Sequence, residues 1–241
     1  KTGGVAGEKK IIGNHHSSGV GEVESIYWQY ESFMKKQDAG FNTVVGAAGE
    51  LFSIRKELFK EFEEDLLLDD FIISMNICLQ GYRIAYEPGA FSTETPSASL
   101  VDEQQRKIRI SAGAYQSIGY LKELLNVFKH PLLSFQYLFR RLFRWTLCPL
   151  LLPLLFLTNF LVVSNDNSNE FYKWIFIAQL FFYCLAFAGW FFVRSGRRMG
   201  PLNIPFYFIF MNYCLVRGFI VFLRGKETVL WKKSLREVID S

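Results

Sequence analysis

Three apolar stretches set the strongest limit on what this chain can fold into. They run over about residues 145–163, 172–193 and 202–223. Each approaches the roughly 20 residues that a helix needs to cross a hydrocarbon core. One such run could be a buried core helix. Three in succession, separated by short polar gaps, read as membrane spans. The chain has 25 Phe, and most of that excess lies here. Trp145, Tyr172, Trp174, Trp190 and Tyr207 lie toward segment ends, the place of an aromatic belt. Pro149, Pro153 and Pro205 are tolerable in spans whose neighbours satisfy the freed carbonyls.

The charges give two of the spans an orientation. Arg140, Arg141 and Arg144 precede the first; Asp166 and Glu170 separate it from the second; Arg194, Arg197 and Arg198 follow. The positive-inside rule then puts residues 1–144 and 194–201 in the cytoplasm and 164–171 outside. The third segment has two readings. If it crosses, the basic tail over 224–241, with Arg224, Lys226, Lys232, Lys233 and Arg236, ends outside against the rule. If it is re-entrant or interfacial, the tail stays inside, and Arg217 within the segment is easier to place. The net charge of +4 is modest. The basic residues flank apolar runs instead of forming one face, so the expected partner is a lipid bilayer and not a nucleic acid.

Upstream, residues 1–120 mix both signs of charge with apolar residues, as in an α/β domain. Expected strands are 3–8, 42–47, 51–54 and 82–87, the last stopped by Pro88. Expected helices are 22–36, with Ile26, Tyr30 and Phe33 on one face, then 55–62, 71–80 closed by Gly81, and 101–119. Residues 13–21 and 92–99 read as loops, with His15 and His16 an exposed pair, not metal ligands. Residues 121–144 are amphipathic and broken at Pro131. Leu132, Phe135, Leu138, Phe139 and Leu142 share a face that the arginines avoid. Such a stretch lies in the membrane interface or packs as a surface helix. Cys78, Cys148, Cys184 and Cys214 stand far apart, as reduced thiols do.

Three clusters could carry chemistry. Asp69-Asp70 precedes a helix, where a carboxylate serves as a cap or, kept ionised by the helix terminus, as a general base. Gly46-Ala47-Ala48-Gly49 is a tight turn or a place where backbone comes close to a saccharide. Arg106, Lys107 and Arg109 are a solvated basic face or a phosphate-binding one. Lys9 and Lys10 add two further cations.

The run from Asp69-Asp70 to Gly81-Tyr82-Arg83 and Pro88 resembles the central segment of membrane-bound family 2 glycosyltransferases, which include cellulose, chitin, hyaluronan and poly-N-acetylglucosamine synthases. The resemblance implies a partial GT-A domain, of α/β class, over residues 1–120. Interface helices over 121–144 and about three spans over 145–223 would follow. It implies that Asp70 is the catalytic base and Asp69 its neighbouring acid, and that Gly46, Ala47 and Gly49 line the acceptor sugar. Arg109 takes the place of the Arg in the family's Gln-x-x-Arg-Trp motif, which meets the donor pyrophosphate. Arg106 stands at the Gln place and Ile110 at the Trp place, departures that weaken the case for stacking on the acceptor and for processive synthesis.

The implied activity is inverting transfer from a nucleotide-sugar to a glycan or glycolipid acceptor in polysaccharide synthesis at an inner or plasma membrane. A divalent ion, Mg or Mn, is expected, with its ligands mostly outside this chain. The family's nucleotide-binding start and Asp-x-Asp motif are expected upstream of Lys1, and the chain alone is expected to be inactive. Two rivals remain: a non-processive transferase acting on a lipid-linked acceptor, and a membrane transport subunit with a cytoplasmic domain.

Overall fold

The computed structural model describes residues 1–12, 19–62, 66–165, 169–196 and 200–225. The readings on His15, His16, Asp166, Arg197, Arg198 and all of the tail beyond residue 225 lie outside the described residues. The architecture is mixed α/β, with a small sheet and a majority of helix. The sheet has the order β2-β1-β3, with β1 (Thr2–Ile11) in the centre. β2 (Phe52–Ile54) pairs antiparallel to β1 and β3 (Arg83–Glu94) parallel to it.

β3 corrects the reading that Pro88 ends the strand. The strand continues to Glu94 through a change of register, in which Gly7 pairs with Glu87 and Glu8 with Phe91. Proline has no N–H to give a ladder, so the chain bulges around it and resumes pairing beyond. Gly89 N–H closes the bulge on Glu87 Oε1 at 2.9 Å. Residues 42–47 form no strand, although 43–47 are buried. Only Val44 N–H reaches Ile84 O, while Thr43 Oγ1 accepts from Ile84 N–H at 2.9 Å, a side chain standing in for the ladder. The expected helix over 55–62 is a single 3-10 turn, Lys56–Leu58.

Helix α2 (Asp69–Leu79) buries Ile72, Met75 and Ile77 against Ile84 of β3 and Val44 and Val45, forming the domain core. Each such side chain contributes at most about 1.5–3 kcal/mol. Gly81, at φ +88°, ends the helix in the left-handed conformation that glycine adopts without strain.

Helix α1 (Gly19–Phe41) reverses the expected polarity. Tyr30 and Phe33 are exposed, whereas Glu24, Glu31, Lys35 and Asp38 are buried. The reason is the partner that covers them. Helix α4 (Pro131–Tyr137) runs through a π-helical turn, Leu138–Leu142, into α5 (Phe143–Val163). Arg140 donates to Glu31 at 2.8 Å and to Asp38 at 3.0 Å, and Arg144 donates to Glu31 at 2.6 Å. Leu132, Phe135 and Phe139 face outward on the opposite side of this same helix. The amphipathic stretch therefore turns its charges inward and its apolar face outward, as a helix at a bilayer surface would.

The helix from Pro131 to Val163, α6 (Glu170–Arg194) and α7 (Ile204–Leu223) are each long and apolar enough to cross a membrane. α5 and α6 form a hairpin joined by a hydrogen bond from Asn159 Nδ2 to Gln179 Oε1 at 2.9 Å. α7 behaves differently. It lies along α3 (Leu100–Tyr120), from Tyr207 donating to Glu103 at 3.0 Å, past Gly218 against Ser111, to Phe219 against the Tyr115 ring at 4.9 Å. The two helices therefore run side by side in one direction.

Candidate active site

Asp70 sits in the first turn of α2, one residue beyond Asp69. Leu68, not either aspartate, holds the N-cap position, and its side chain makes no capping bond. Asp70 Oδ1 accepts from the Phe71 N–H at 2.7 Å, and the Gly49 N–H supports the same carboxylate. Burial pushes its pKa up from 3.8 to about 6, helped by the nearby carboxylates of Asp69 and Glu50 and opposed by the two backbone donors. A carboxylate at about 6 is mostly ionised at neutral pH and a stronger base than an ordinary aspartate.

The loop before it is held by fixed contacts. Gly46 has φ +87°, and a Cβ there would overlap the Phe71 ring. Ala47 N–H donates to Ser74 Oγ at 3.0 Å, and Ser74 in turn donates to Phe71 O. A Cβ on Gly49 would stand 3.1 Å from Asp70 Oδ2. Glycine at 46 is thus required by close approach, a side chain at 49 would press on the Asp70 carboxylate, and Ser74 pins the loop to the helix that carries Asp70. Nothing in the sequence marks Ser74.

These pieces line a cleft of about 190 Å³. Gly46, Ala47 and Asp70 form one wall. Trp28, Glu31 and Lys35 of α1, and Arg106, Lys107 and Ile110 of α3, form others. Arg141, Arg144 and Trp145, with Met211 and Leu215 of α7, complete it. Trp145 packs edge-on to Phe71 at 5.5 Å, so the start of α5 touches the ring next to Asp70.

Residues 15–193 match the family model for glycosyl transferase family group 2. The chain belongs to this family. No curated protein matches it. Membership supports glycosyl transfer, with a nucleotide-sugar donor and an acceptor, and the mixed α/β layer is consistent with the GT-A domain of family 2 enzymes.

The site residues expected from the sequence divide in this structure. Gly46, Ala47 and Asp70 line the cleft, with Gly49 against Asp70. Asp69 is exposed beside it. Arg106 reaches the cleft but is held by Glu24 and by Glu103, the latter at 3.0 Å. Both carboxylates raise its pKa against the effect of burial. Arg109 does not line the cleft; its neighbour Ile110 does. Lys107 lies 4.1 Å over the Tyr27 ring and beside Glu103. Burial raises the Glu103 carboxyl, and Lys107 and Arg106 outweigh that and hold it low. Lys9 is buried and paired with Glu50 and Glu94, so it braces the loop after Gly49 and does not face solvent.

Composition and spacing gave no sign of Glu31 or Lys35. Burial works to raise the Glu31 carboxyl, but Arg144, Arg141 and Arg140 outweigh it and hold it well below the usual range. Burial, with Arg141 nearby, pulls Lys35 below the usual lysine value. Among the described residues, no group of three or more His, Cys, Asp or Glu side chains is arranged to hold a metal ion. Glu50, whose charge acts on Asp70, is committed to Lys9. The cleft does not make a divalent-ion site by itself, and no step of the transfer is assigned to one.

Proposed function

We propose that this protein is an inverting glycosyltransferase that moves a sugar from a nucleotide-sugar to a saccharide acceptor at the membrane face, in polysaccharide synthesis. Asp70 is the general base. Its carboxylate takes the proton of the acceptor hydroxyl. The oxygen forms a bond to the anomeric carbon from the side opposite the nucleoside diphosphate, which leaves with the bonding electrons. Gly46, Ala47 and Gly49 bring backbone to the acceptor sugar, and Arg106 belongs to the donor side, while Arg109, on the side of α3 away from the cleft, is given no contact there. The catalytic domain is assigned to the cytoplasmic face of an inner or plasma membrane.

The observation that carries this reading is Asp70: partly buried at the cleft wall, supported by two N–H groups, and raised to about 6. Asp70→Asn in the full-length protein is expected to lower kcat by about 10²–10⁴-fold, the usual range for a lost general base. In the wild type, kcat/KM is expected to fall as pH drops through about 6, because the base must be ionised. Sugar transfer by Asp70→Asn at the wild-type rate, with normal folding, would remove Asp70 from the reaction.

A further inference from the structure

The wall of the cleft beside the base leans on a helix that cannot complete its own hydrogen bonds. Helix α5 carries Pro149 in its interior. Proline has no N–H, so the carbonyl four residues earlier, that of Trp145, loses its α-helical donor. A donor from another element reaches it. Tyr115 OH, on α3, donates to Trp145 O at 2.5 Å. Burial pushes the Tyr115 phenol up to about 12, so the donor keeps its proton at neutral pH. The Tyr115 ring is held in turn by Phe219 and Phe222 of α7, at 4.9 and 6.3 Å.

The residue that owns this carbonyl gives the bond its reach. Trp145 is buried and packs edge-on to Phe71 at 5.5 Å. Phe71 follows Asp70 and gives its N–H to the Asp70 carboxylate at 2.7 Å. Phe71, Trp145 and Asp70 line the same cleft, whereas Tyr115 does not. Burial is the largest cause of the raised Asp70 carboxyl, and the two rings are apolar surface beside it. Arg141, one turn before Trp145, lies over the Phe71 ring at 5.9 Å and donates to Val45 O at 3.0 Å. That contact fixes the helix to the loop before Gly46. The Tyr115 bond fixes the next turn to α3.

We propose that Tyr115 is a positioning residue for the base. It ties the carbonyl freed by Pro149 to α3, and so seats the Trp145 indole on Phe71, where it closes the cleft around Asp70. Tyr115 acts through Trp145 and touches no substrate. This rests on the reading of Asp70 as the general base and says how that site is controlled. Whatever moves α7 or the start of α5 reaches the base through one hydroxyl.

The test uses the full-length protein in nanodiscs. Tyr115→Phe keeps the ring against α7 and removes only the hydroxyl. Trp145 then leaves Phe71 and water reaches Asp70. Hydration favours the ionised carboxylate, so the acid limb of kcat/KM is expected to move down from about 6 by roughly 1 pH unit. The kcat is expected to fall roughly 10-fold as base and acceptor lose alignment. Pro149→Ala supplies an N–H where the helix lacks one. In that background Tyr115→Phe should cost less than about 2-fold in kcat and leave the limb in place. An acid limb that stays at the wild-type pH in Tyr115→Phe, or an equal loss with and without Pro149, overturns the proposal.

A second measurement needs neither turnover nor the proline variant. In protein labelled with fluorotryptophan, the fluorine NMR resonance lost in Trp145→Phe belongs to Trp145. Tyr115→Phe should shift that resonance and leave those of Trp174 and Trp190, on α6, where they are. An acid limb near 6 in the wild type, with a Trp145 resonance that Tyr115→Phe does not move, sinks Tyr115 alone. A wild type that transfers no sugar, or shows no acid limb, sinks the base reading and with it the part of Tyr115 in the reaction, even where the resonance moves.

Discussion

Two seams join the α/β layer to the apolar helices, and they are built in opposite ways. Between α1 and the helix leading into α5, the seam is ionic: Glu31 and Asp38 face Arg140, Arg141 and Arg144. Between α3 and α7 the seam is close packing, with Gly218 set against Ser111 and the backbone of Ile108 and Ala112, and Tyr115 against Phe219 and Phe222. The first is directional and fixes how α5 is rotated about its axis. The second is short-ranged and fixes how near α7 can come. Together they hold Trp145 and Met211 at the cleft from two sides.

The ionic seam should break hardest. Glu31→Gln leaves three guanidinium groups without their shared carboxylate, and buried charges stripped of a partner cost about 3–5 kcal/mol. Denaturation in detergent would measure this; a loss under about 1 kcal/mol would mean that the arginines find other partners. Gly218→Leu should come next, at about 1–3 kcal/mol, because a side chain there must push α7 away from the α3 backbone.

Acid separates the two seams. The folded Glu31 carboxyl lies well below its ordinary 4.5, so its contribution is present above about that pH and is lost as pH falls through the folded value. The difference between wild type and Glu31→Gln should shrink in acid, while that of Gly218→Leu should not. Asp38 in the same seam is raised by burial and pulls the other way, which is why the difference at Glu31 is the quantity to follow.

Asp70 has the opposite sign from Glu31. Its raised pKa costs stability above about pH 6, and the cost fades as pH falls toward 4. Asp70→Asn is therefore expected to gain about 1–3 kcal/mol at neutral pH while losing activity. No gain would mean that the asparagine leaves the Gly49 and Phe71 donors poorly matched. The smallest effect belongs outside both seams. Phe187→Leu, on the exposed face of α6, should change stability by less than about 0.5 kcal/mol.

The sequence announced the apolar helices because length and hydropathy are local properties, and all three appear. It also carried the region around Asp70, where the spacing to Gly81 places the aspartate at a helix start. It misled on α1. A helix whose charges face inward looks like one whose apolar face does, until the arginines more than 100 positions later are brought against it. Hydropathy alone could not divide α7 from α6 either, although the charges at and beyond the third segment had already given it two readings. The two have similar composition, yet α7 buries Phe206, Phe210 and Leu215, whereas α6 buries only Ala186, Gly189 and Val193. Hydropathy reports that a face is apolar and is silent on whether lipid or protein covers it. The same limit applies to Arg109, whose residue type suits phosphate but whose side of α3 does not line the cleft.

The π-helical turn over Leu138–Leu142 has a consequence for how this chain can change over generations. A turn that spends one residue more than an α-turn acts as a phase shifter for everything after it. Winding the same five residues as ordinary α-helix would rotate the rest of the helix by about 100°. Arg144 then swings off Glu31 and Trp145 off the Phe71 ring, though neither residue has been altered. A substitution that straightens this turn at constant length is therefore felt at Arg144 and Trp145, whereas the loss of one residue from it leaves them in phase.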